Sequence, residues 1–65
     1  MKKQKFVKYL AKYGYCYTGE QHGSHAHFRN EQTGKFVIVP MHNEINDNLC
    51  RGICRQLGIP YCGKN

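Results

Sequence analysis

Apolar and polar positions change their period along the chain, and each period predicts an element. Over residues 2–13, Phe6, Leu10 and Tyr13 recur at helical spacing and Val7 and Tyr9 widen the stripe, while Lys5, Lys8 and Lys12 gather on the opposite face. This predicts an amphipathic helix, ended by Gly14, which tolerates the left-handed backbone of a C-terminal stop. Tyr15, Cys16, Tyr17 and Thr18 are strand-favouring types, and residues 19–23 read as a turn. Residues 24–29 alternate, with Ala26 and Phe28 on one side and His25, His27 and Arg29 on the other, the period of a half-buried strand. Turn residues fill 30–34, and 35–39 form an apolar strand closed by Pro40. Leu49, Ile53 and Leu57 then repeat every four positions, with Arg51 and Arg55 opposite, Asn46 or Asp47 as N-cap, and Gly58 and Pro60 as the stop.

The order helix, strand, strand, strand, helix predicts an α+β fold in which two helices cover one face of a three-stranded antiparallel sheet. Double-stranded-RNA-binding domains share that order, which favours RNA contact without assigning a reaction. Tyr9 and Tyr13 should pack on the apolar side of the first helix, whereas the pattern leaves the face of Tyr15 and Tyr17 open. The third strand is apolar on both sides, Val37 and Val39 against Phe36 and Ile38, so one side faces away from the helices. That side suits a protein partner, or is simply a strand of ordinary β-branched composition.

Sixty-five residues predict a single domain, 1–65, because so short a chain buries too little surface for two cores. Composition, 40% hydrophobic and 22% charged, is that of a globular protein and excludes a disordered one. Charge changes the picture more. Ten Lys and Arg against four Asp and Glu give +6, with a pI near 9.4, and point to a polyanionic partner. No apolar run suits a bilayer span or a secretory signal, so a cytoplasmic protein with reduced cysteines is expected.

Three of the four histidines, His22, His25 and His27, fall within six positions around Gly23 and Ser24. One reading is RNA cleavage: an imidazole can take the proton of a ribose 2′-hydroxyl or return one to the departing 5′-oxygen, leaving a 2′,3′-cyclic phosphate. His25 would act beside a turn that Gly23 keeps clear, with Arg29, Lys35 and the Lys5, Lys8 and Lys12 face holding phosphates by charge. A second reading is a metal site using Cys16, His22, His25 and His27, or Cys50, Cys54 and Cys62. Their scatter argues against it, since structural zinc sites use close Cys pairs; no metal or cofactor is expected. A third reading is that the histidines are solvated on an open strand face and do no chemistry. His42 can equally be a loop residue shaping the turn into the second helix.

Gly23-Ser24-His25 with Phe28 three positions on, then Val39-Pro40-Met41-His42, then Leu49, Ile53 and the Gln56-Leu57-Gly58 close, stand in an order that resembles the HicA, or YcfA-like, toxins. The resemblance runs from the first helix to Gly58. It implies a double-stranded-RNA-binding-like fold, metal-independent endonucleolytic cleavage of messenger RNA that inhibits translation and growth, and a catalytic histidine carried onto His25. It also implies a HicB-type antitoxin that binds the toxin as a hetero-oligomer and masks the histidine. Many such toxins have a second histidine directly after the first; here Ala26 stands there and His27 follows. His27, with Ser24 and Gly23, is therefore an assisting candidate. The alternatives are a non-catalytic RNA-binding module of the same fold and a small regulator acting only through its partner.

Overall fold

A computed structural model describes residues 1–61; the Cys62 expectation lies outside them. Helix α1 spans Lys3–Lys12, strands β1, β2 and β3 span Tyr15–His22, His25–Asn30 and Phe36–Pro40, and helix α2 spans Asp47–Leu57. The predicted α+β order holds, and the strands pair antiparallel in the order β1-β2-β3.

Alternation along the strands decides the layers. Tyr15, Ala26, Phe28, Val37 and Val39 are buried in one cluster with Phe6 and Leu10 of α1, Ile45 from the loop before α2, and Cys50, Ile53, Cys54 and Leu57 of α2. Successive strand residues point to opposite faces, so both helices cover one side of the sheet and the other side stays open. Each large apolar side chain buried this way contributes roughly 1.5–3 kcal/mol. Tyr9 and Tyr13 pack against the cluster as expected, their rings meeting edge to face with centroids 5.1 Å apart. Tyr15 and Tyr17 share the helix side; Tyr17 lies against Phe28 at 5.8 Å, near the sheet edge, and remains half exposed.

The helix ends follow the predicted chemistry. After α1, Gly14 takes φ +90° and donates its N–H to the Ala11 carbonyl at 3.0 Å. At α2, Asn46 rather than Asp47 is the N-cap, its Oδ1 accepting the Asn48 N–H at 2.7 Å, while Asp47 in the first turn complements the helix dipole. Gly58, φ +73°, closes the helix. The Tyr9 hydroxyl donates to the Pro60 carbonyl, tying α1 to the segment that follows α2.

Two expectations are corrected. Leu49 is 42% exposed, and the buried side of α2 is Cys50, Ile53, Cys54 and Leu57. A strict four-residue repeat drifts by about 40° per step around a 3.6-residue helix, which carries Leu49 off the seam while Cys50 and Cys54 stay on it. Residues 19–23 are not all turn. Strand β1 continues to His22, Gln21 and His22 pair with Ala26 and His25, and only Gly23 and Ser24 connect the strands. The register shifts between Tyr17 and Gln21, where Gly19 adopts φ +93° in a bulge.

Candidate functional site

The open face of the sheet collects the polar chemistry. On β2, His25, His27 and Arg29 all project from it, with His25 exposed at the hairpin end. At the 3.3–3.4 Å rise of a strand, His25 and Arg29 are separated by about 13 Å, and His27 stands between them. Across the ladder, His25 pairs with His22 and Pro40, His27 with Ile38, and Arg29 with Cys16 and Phe36. Phe36 and Ile38 are 59% and 42% exposed, so basic and apolar groups alternate on this face.

The turn before His25 is built by its own residues. Gly23 has φ +60°, a region other side chains rarely adopt, and its carbonyl accepts the Gln21 side-chain amide at 2.9 Å. The Ser24 carbonyl accepts the Met41 N–H at 2.6 Å, which ties the hairpin to the chain leaving β3. His42 follows in an exposed loop.

The bulge in β1 has a chemical consequence. It brings Glu20 beside β2, where Oε2 lies 3.0 Å from His22 Nε2 and Oε1 lies 3.8 Å from His27 Nδ1. The His22 and His27 rings meet edge to face, 5.5 Å between centroids. The hydrogen bond with His22 and then the charge of His27 hold the Glu20 carboxyl below its ordinary range, against a smaller opposing effect of burial. Thr18, Glu20, His27, Arg29 and Phe36 line an open depression of about 290 Å³.

A family model for the HicA toxins of bacterial toxin–antitoxin systems matches residues 4–59 of the 65. The chain belongs to that family. Searches of curated proteins and of solved structures gave no significant match. Membership makes this HicA chain the toxin of a toxin–antitoxin pair and implies an antitoxin partner. Among the described residues no helix is long and apolar enough to cross a membrane.

Not all the expected site residues of this HicA chain come together. Gly23, Ser24, His25, His27 and Arg29 follow one another along the hairpin turn and β2, and Lys35 is exposed just before Phe36, at the Arg29 end of the sheet. Lys5, Lys8 and Lys12 lie on the exposed side of α1, in the other layer of the molecule. Glu20, Thr18 and Phe36 were not singled out as site residues by the sequence reading. The one available signal for the first two was a glycine, Gly19, inside a strand-favouring run, which marks a bulge.

Proposed function

We propose that this HicA chain is a cytoplasmic, metal-independent endoribonuclease that cleaves messenger RNA and thereby inhibits translation and growth, with His25 as general acid/base. The observation that carries the reading is the placement of His25, at the hairpin end of an open, basic strand face, in a chain matched by the toxin family model. On this reading His25 removes the ribose 2′-hydroxyl proton as the 2′-oxygen bonds to phosphorus. The bond from phosphorus to the 5′-oxygen breaks, the 5′-oxygen leaves with the proton that His25 returns, and the other fragment keeps a 2′,3′-cyclic phosphate. Arg29 and Lys35 hold the strand by its phosphates, and His27 assists as a second proton carrier or RNA contact. General acid–base help of this kind supplies roughly 10²–10⁴-fold.

The antitoxin, on the same reading a HicB-type protein, covers the open face and masks His25. The exposed Phe36 and Ile38 give it an apolar seat. Expression of the wild type should arrest growth and expression of His25→Ala should not. Purified wild type should cut RNA in chelator to cyclic-phosphate ends, and equal arrest by both proteins would remove His25 from the role. A second reading, a non-catalytic RNA-binding module, is favoured by one feature. Phe36 stands exposed beside Arg29 in the depression, a pairing on which an unpaired base can stack without any reaction. Salt-sensitive binding to RNA that stays intact would select it.

A further inference from the structure

The open face carries a second grouping whose chemistry differs from phosphate contact or proton transfer at His25. We propose that Glu20, His22 and His27 form a binding site for a zinc ion. The three residues each turn one donor atom toward the others, and these atoms all lie within 4.8 Å of one another. Strand geometry brings them together. Glu20 and His22 are two apart in β1 and share a face; β2 lies antiparallel alongside, and the pairing of Gln21 with Ala26 sets Glu20 next to His27.

The distances suit an ion after small side-chain movements. Ligands about 2.1 Å from a tetrahedral zinc lie about 3.4 Å from each other. The Glu20 carboxylate faces each imidazole with a different oxygen, Oε2 3.0 Å from His22 Nε2 and Oε1 3.8 Å from His27 Nδ1, distances on either side of that value. With one donor atom from each residue the separations reach at most 4.8 Å, so closing to that spacing takes up to roughly 1.4 Å, which the His22 and Glu20 side chains, 72% and 59% exposed, can supply by rotating. His27, 22% exposed, is the anchored ligand.

Two imidazoles and one carboxylate leave at least one coordination position open, the composition of an exchangeable rather than a closed structural site. Imidazole nitrogen favours zinc and its neighbours over magnesium or calcium, which take oxygen ligands. Arg29 on the same face and the net charge of +6 oppose a cation, so the site depends on direct ligation rather than on a negative field. The proposal goes beyond the ribonuclease reading and does not require it; it shares only His27 with that reading, and zinc bound there takes His27 out of its assisting role while leaving His25 untouched.

The test is titration of the metal-stripped full chain with zinc alone, by calorimetry and against a chromophoric chelator, with no RNA present. One equivalent should bind, and magnesium should not. His22→Ala, His27→Gln and Glu20→Gln should each weaken zinc by at least about tenfold, while His42→Ala should leave it unchanged. A Cys16→Ser, Cys62→Ser variant should bind zinc as the wild type does, and cobalt bound in its place should lack a thiolate charge-transfer band. Circular dichroism checks each variant's fold, and the exposed His22→Ala carries the test if His27→Gln unfolds. Absence of stoichiometric binding, retention by the His22 and His27 variants, or loss in the cysteine variant would overturn the site and leave the trio an ion-pair cluster. RNA cleavage can fail with zinc binding intact, and the reverse, so the two readings stand or fall separately.

Discussion

Glu20 is exposed, yet two imidazoles bear on it, and its protonation reports whether the bulge holds it there. Its carboxyl is held below the ordinary value of 4.5, chiefly by the hydrogen bond with His22. Folding therefore favours the ionised form. The resulting stability is present above the unfolded pKa and is lost as the pH falls through the lower folded value. At so exposed a position the contribution is small, because solvent screens it. The direct measurement is an NMR titration of the Glu20 side chain, with a midpoint expected below 4.5 in the wild type and shifted back toward it in His22→Ala. An unshifted wild-type midpoint would mean that Glu20 does not sit against the histidines in solution.

At the scale of elements, the β2–β3 turn rests on Asn30. Its Oδ1 accepts the N–H groups of Gln32 and Thr33 at 2.9 and 3.2 Å, and its Nδ2 donates to the Tyr13 carbonyl at 3.2 Å, tying the turn to the end of α1. Asn30→Ala removes these partners and should lower stability by about 0.5–1.5 kcal/mol in urea unfolding, with the m-value unchanged. A loss below about 0.5 kcal/mol would show that water replaces the side chain readily. Such turns, and the five elements they join, were legible because period, Gly14, Gly58 and the Asn46 cap are local signals. The face carrying His25, His27 and Arg29 was equally legible, since alternation over residues 24–29 needs no partner strand. What stayed hidden depends on pairing. Gly19 marks a bulge, but only the register against β2 shows that it lengthens β1 and delivers Glu20. Leu49 was misplaced because an apolar residue one turn early satisfied the repeat, while Cys50 and Cys54, small and soft, fill the seam instead.

Over the whole molecule, the five cations expected to hold phosphates divide between two surfaces. Arg29 and Lys35 belong to the sheet, Arg29 on its open face with His25 and His27. Lys5, Lys8 and Lys12 lie on the far side of α1, which packs against the sheet's other face. The molecule is only 16 Å across its shortest dimension, but a strand lying along β2 does not reach both surfaces without bending around an edge. Net charge alone treats all ten cations alike, whereas direct contact does not. If RNA lies on the open face, Arg29→Glu should weaken binding sharply and reduce the slope of log affinity against log salt by about 1. Lys8→Glu makes the same change in net charge and should act only through the long-range field, which is screened beyond a Debye length of about 8–10 Å at 0.10–0.15 M salt. At that ionic strength its effect on affinity should be small and its slope close to wild type. Fluorescence anisotropy with a short labelled RNA across a salt series, in the His25→Ala background to keep the RNA intact, compares the two. Equal effects would place the strand across both layers or show that binding is governed by total charge. A larger effect at Lys8 would move the RNA to the helix side, away from His25, and with it the case for that histidine.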